Sequence, residues 1–250
     1  MKCKRCKAEN PKANKFCGKC GTKLKEGAAE LYMDRACMNL RLGKLRDAVS
    51  DYKEALRLNP KNAVAHKSLA SLYYRETLLD DAIEEYKKAI KNNPNYADAY
   101  YELGVAQYRK GALEEAIKSF NHALKINPNF HIAKYWLGLS FYYIGRLREA
   151  IENFKNALEK ESGIAIANYH LGIAFAREGK IKEAIKQFED FLKKSPKSAA
   201  AQYNLGLNYY RAGDVDKAID SFKKAIKIDP SDDRSKKNLV MLEDVKSRFF

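Results

Sequence analysis

Ala97–Pro128 reads ADAYYELGVAQYRKGALEEAIKSFNHALKINP. The stretch holds a Gly near its middle and a Pro at its end. The pattern recurs about every 34 residues, and the copies start at Ala29, Ala63, Ala97, His131, Ala165 and Ala199. Counting from each start, position 20 is always Ala: Ala48, Ala82, Ala116, Ala150, Ala184 and Ala218. Position 8 is Ala or Gly (Ala36, Ala70, Gly104, Gly138, Gly172, Gly206), small enough for two helices to approach closely. Position 24 is always aromatic: Tyr52, Tyr86, Phe120, Phe154, Phe188 and Phe222. Position 15 is Gly in five copies, which suits a left-handed turn between two helices. Position 32 is Pro in five (Pro60, Pro94, Pro128, Pro196, Pro230), and Pro ends a helix. Each copy is therefore expected to be helix, tight turn, helix, loop, and the whole an all-α stack in which each copy packs on its neighbours.

The remainder of the 250 residues bounds the class. There are 47 Lys and Arg against 32 Asp and Glu, a formal charge of +15. Residues 1–26 hold nine of the bases and only two acids, so basicity is densest at the N-terminus. Acidic partners follow as an expectation, though charge alone does not choose their class. No apolar run is long enough to span a membrane, and MKCKRCK lacks the apolar core of a signal peptide. The chain is read as cytoplasmic. In that reducing compartment its five cysteines favour metal over disulfides.

Four of them, Cys3, Cys6, Cys17 and Cys20, form C-x2-C-x10-C-x2-C. Two residues between thiolates let both sulfurs of a pair face one ion, and two pairs close the tetrahedral site that a structural zinc prefers. So short a segment cannot bury a useful core, and one bound zinc would supply its folding energy. Four thiolates leave no open coordination position for catalysis. The stretch from Cys3 to Leu24 resembles the minimal zinc-ribbon modules at the N-termini of many prokaryotic proteins. It departs from them at Lys7, where these turns favour Gly, so a residue with a Cβ is expected at positive φ.

The repeat columns resemble the tetratricopeptide repeat, or TPR, over residues 29–232. The resemblance implies a right-handed solenoid of six helix-turn-helix repeats (29–62, 63–96, 97–130, 131–164, 165–198 and 199–232). A zinc ribbon at 1–26 is expected to precede the repeat domain at 27–232, with a capping helix at 233–250 after it. Phe249 and Phe250 either fold back on the last repeat or form an exposed partner motif. Local departures are Arg35 and Asn39 where Leu and an aromatic belong, implying a less well packed first helix. Others are Thr77 for Gly, Ser162-Gly163 for Pro, and Phe191 for Ala, which is expected to push its neighbour apart.

In TPR proteins the first helices line a concave face, chiefly at positions 2, 5, 6, 9, 12 and 13, and bind protein segments. Position 5 here runs Met33, Lys67, Tyr101, Tyr135, Tyr169, Tyr203, and position 13 is Arg except for Tyr143, including Arg177 and Arg211. Tyrosines with arginines at their edge suit an acidic-aromatic peptide. Position 6 is the irregular column: Asp34, Ser68, Glu102, Trp136, His170, Asn204. We expect an apolar-aromatic pocket over copies four to six, centred on Trp136, Tyr169 and His170, with Leu139 and Ile173 nearby and Arg177 and Arg211 at its edge. The competing reading packs Trp136 and the isoleucines between copies.

The resemblance implies a non-enzymatic protein-interaction scaffold. The alternative is a nucleic-acid-associated protein whose basic ribbon contacts RNA or DNA, which would show binding that weakens steeply with salt. The carboxylate clamp by which some TPR domains hold chaperone C-termini is not expected: Lys67, Ser71, Glu102, Ile132 and Trp136 stand at its positions, and only the Lys matches. No metalloprotease helix, phosphate-binding glycine loop or nucleophile elbow occurs.

Overall fold

The computed structural model describes residues 2, 6–10, 18–20, 27–158 and 164–249, with residues 248 and 249 described by their backbone alone. Cys3, Cys17, Phe16 and Ser162-Gly163 lie outside the described residues, as do Phe250 and the side chain of Phe249. Among the described residues there are thirteen α-helices and one isolated antiparallel bridge, between Lys2 and Glu9. No helix among them is long and apolar enough to cross a membrane. The chain divides into two compact units, residues 1–110 and 111–250.

The first unit holds α1 (Ala28–Arg41), α2 (Leu45–Leu58), α3 (Ala63–Arg75), α4 (Leu79–Asn92) and α5 (Ala97–Arg109). The second holds α6 (Leu113–Ile126), α7 (His131–Tyr143), α8 (Leu147–Leu158), α9 (Ile166–Arg177), α10 (Ile181–Lys194), α11 (Ala199–Arg211), α12 (Val215–Ile228) and α13 (Asp233–Phe249). Within each unit a helix packs on the next in sequence, and first helices of successive copies touch: α3 with α5, α7 with α9, α9 with α11.

The turn between the paired helices is set at position 15. Gly43, Gly111, Gly145, Gly179 and Gly213 all sit at φ between 73° and 84°. Thr77 occupies the same left-handed region at φ 62° despite its Cβ. The second helices stop two residues before each Pro, with Asn59, Asn93, Asn127, Ser195 and Asp229 in extended backbone. That is the conformation proline imposes on the residue before it.

Positions 20 and 24 form the buried spine. All six alanines are fully buried and all six aromatics are at most 1% exposed. Position 8 meets position 24 within a copy. A Cβ on Gly138 would come within 2.8 Å of the Phe154 ring, and one on Gly206 within 2.9 Å of Phe222. Copies one and two carry Ala at position 8 with Tyr at 24, and both members of each pair are buried together.

The first helix of copy one buries only Ala36, in line with the expectation of weaker packing. It is held by polar contacts, because Arg35 and Asn39 both grip the buried Asp51 carboxylate. Arg35 Nε donates at 2.9 Å to each oxygen, its Nη2 also pairs with Oδ1, and Asn39 Nδ2 donates at 2.9 Å to Oδ2. Position 3 of copies two to six is a fully buried Ala, while its counterpart Leu31 is 52% exposed, as no helix precedes α1 in the described chain. At the other end α13 docks in first-helix register. Leu242 is buried against Ala218 and Phe222, and Lys246 pairs with Asp216 as Lys110 pairs with Asp80. Phe191 is buried, its ring 5.5 Å from that of Tyr169.

Candidate functional site

Helix geometry puts positions 2, 5, 6, 9, 12 and 13 of a first helix on one side of it. In the second unit that side joins α7, α9 and α11 through aromatic and amide side chains. Tyr135 is buried, and its ring meets Trp136 edge-on at 5.9 Å and His170 at 5.6 Å. His170 in turn meets Tyr169 at 5.3 Å and stacks on Phe154 at 6.1 Å. Its Nδ1 lies 3.2 Å from both the Tyr135 hydroxyl and the Ile166 carbonyl oxygen. Burial of the ring lowers its pKa and favours the neutral imidazole. Burial also pushes the Tyr135 hydroxyl up to about 12. Asn204 Nδ2 donates to the Tyr169 hydroxyl at 3.2 Å and to the Ala200 carbonyl at 2.8 Å.

These contacts follow a rule that column-by-column reading missed. The residue at position 5 of one copy reaches position 6 of the next: Tyr135 to His170, Tyr169 to Asn204. The first unit obeys it with an ion pair, Lys67 Nζ to Glu102 Oε1 at 2.6 Å. Glu102 also accepts from the Ser71 and Tyr86 hydroxyls, at 2.6 and 2.8 Å. At Glu102, His170 and Asn204 the residue at position 6 matches position 5 of the copy before it. The signal was present in the sequence, but only along the diagonal between two columns.

A second diagonal joins positions 12 and 13. The Arg109 guanidinium lies 4.8 Å from the Tyr74 ring centre, and Arg177 lies 4.8 Å from that of Tyr142. Of the arginines expected at the groove edge, Arg177 thus lies on the tyrosine of the preceding copy. Leu139 is buried, Ile173 is half-buried, and Arg211 is exposed. Tyr203 lies beneath Arg234 of α13, 4.7 Å from ring centre to guanidinium carbon. Tyr101 is half-buried on α5, in the first unit.

His66 and His131 are tied into the helix packing. His66 is buried with Nδ1 at 2.6 Å from Glu85 and Nε2 at 3.0 Å from the Pro60 carbonyl. His131 Nδ1 lies 3.3 Å from the Asn156 carbonyl. At the N-terminus Lys7 adopts φ 60°, as the turn after a cysteine pair requires. Asn10 is buried and ties the two turns together, its Nδ2 donating to the Ala8 carbonyl at 2.9 Å and its Oδ1 accepting from Gly18 N–H at 3.0 Å. Among the described residues, which include only Cys6 and Cys20 of the four cysteines, no metal-binding group of three or more is assembled.

A family model described as tetratricopeptide repeat matches residues 33–96, 69–129, 135–187 and 176–233. The chain belongs to the tetratricopeptide repeat family. Among solved TPR structures it is similar to YrrB, described as a TPR protein with an unusual peptide-binding site. The two are 27% identical with a TM-score of 0.66, over 74% of this chain and 95% of that one. It is likewise similar to MamA, at 26% identity and a TM-score of 0.64, over 68% of this chain and 93% of MamA. PilF of Pseudomonas aeruginosa reaches a TM-score of 0.72 over 86% of this chain and 97% of its own, but at 20% identity the likeness is one of fold alone. No curated protein matches the sequence.

Proposed function

We propose that the chain is a non-enzymatic scaffold that binds an extended acidic-aromatic segment of a partner protein on the first-helix face of its second unit. The observation that carries this reading is the continuous aromatic surface from Trp136 through His170 and Tyr169 to Asn204. Its members already hold one another by ring contacts and hydrogen bonds, so binding would order few side chains. In the first unit the equivalent positions are spent on the Lys67–Glu102 pair, and a carboxylate there would meet Glu102. That YrrB has a peptide-binding site supports the family-level part of the reading. The test is to select peptides from a random library on the purified protein and titrate them against Trp136→Ala and Arg177→Glu. Affinity should fall for both. Unchanged affinity in both, with melting temperatures preserved, would sink the site.

The four cysteines are proposed to hold one structural zinc. The donor set fits the ion, and the left-handed Lys7 and the Asn10 bridge between the two turns fit paired knuckles. Bound zinc would supply a fixed tetrahedral crosslink and no reactive position. Elemental analysis of protein purified without chelator should find about one zinc per chain. Metal-free protein with four titratable thiols in this segment would refute it.

A further inference from the structure

Where Tyr at position 12 precedes Arg at position 13 of the next copy, the two stack, and within the second unit the last step lacks the pair. Position 12 of copy two supports Arg109, and position 12 of copy four supports Arg177. The same step from copy five to copy six runs from Ala176 to Arg211, on the touching helices α9 and α11. Alanine offers no ring. Arg211 is exposed, and among the described residues no ring or acid meets it. Tyr210, the next member of the position 12 column, is 47% exposed, and its side chain makes no ring contact or hydrogen bond among them. Between α9 and α11 the ring that carries the arginine at the preceding step is therefore absent, and the cation is left exposed.

We propose that the place left by Ala176 is a subsite for an aromatic side chain of the bound segment, adjacent in that segment to an acidic residue. The proposal rests on the peptide-binding reading above and specifies its ligand. An arginine lies flat on an aromatic face and keeps its in-plane N–H donors free. A partner ring over Ala176 restores under Arg211 the support that Tyr142 gives Arg177. A neighbouring carboxylate then takes the guanidinium edge in a two-bond contact. Ala176→Tyr fills the subsite from within, and the column accepts tyrosine in four of six copies, Tyr74, Tyr108, Tyr142 and Tyr210.

Peptides selected from a random library on the wild-type protein are synthesised with their aromatic residue intact or changed to Leu, and titrated against wild type, Ala176→Tyr and Arg211→Gln. The wild type should prefer the aromatic form by roughly three- to tenfold, the scale of a partly desolvated cation–π contact. Ala176→Tyr should lose that preference while melting at the wild-type temperature. Arg211→Gln should lose it together with the preference for a neighbouring acid. An unchanged preference in Ala176→Tyr, or selected peptides without a ring, overturns the subsite and leaves the groove reading standing. A wild-type protein that selects no peptide overturns the groove reading itself.

Discussion

Thr77 shows what one residue costs a repeat. At φ 62° a side chain with a Cβ sits where five copies place Gly. Thr77→Gly should raise stability by up to about 1 kcal/mol, the strain of a left-handed non-glycine residue, measured by urea unfolding. His170 is the residue whose charge is coupled to folding. Burial holds its pKa below the ordinary 6.5, so the unfolded chain takes up a proton that the folded ring refuses. The unfolded state then binds more protons, and stability falls as pH drops below about 6.5. Between pH 7.5 and about pH 5 the wild type should lose more unfolding free energy than His170→Gln, which lacks the titrating ring beside Tyr135 and Ile166. Equal losses would mean that the ring is protonated in the folded protein.

At the scale of helices, the sequence columns were legible wherever one copy explains itself. Gly at 15, Pro at 32, Ala at 20 and the aromatic at 24 act within a copy, and each turn, stop and buried contact lies where they place it. What escaped were contacts between copies. His170 and Asn204 looked like unrelated departures because their partners, Tyr135 and Tyr169, stand one column over and one copy back. Arg35 and Asn39 looked like defects because Asp51, on the opposite helix, was not read with them. The network predicts an ordering of stabilities. Arg35→Leu strands a buried carboxylate and should lower the melting temperature. Arg35→Leu with Asp51→Ser restores the Leu and small polar pair of Leu103–Ser119 or Leu205–Ser221 and should recover it. A double variant no more stable than the single one would show that the polar network, not the match between partners, holds α1 to α2.

At the scale of the whole chain, the described core clusters include neither Cys6 nor Cys20. Positions 8, 20 and 24 carry each copy's interior with apolar and small residues alone, and neighbouring copies within a unit complete it. If the four cysteines hold zinc as proposed, chelation should expose the four thiols to a thiol reagent while far-UV ellipticity stays unchanged. Loss of helix on chelation would make the N-terminal segment part of the repeat core. The diagonal pairing also bears on ancestry. Solenoids grow by duplicating units, and a new unit must satisfy the neighbour it lands beside. A second copy of residues 63–96 inserted after the first would face Lys67 with Ser68 instead of Glu102 and strip the ammonium of its acid. Lengthening this chain therefore demands paired substitutions at each new junction. Its units are words in a sentence with agreement rules, not beads that can be threaded in any order.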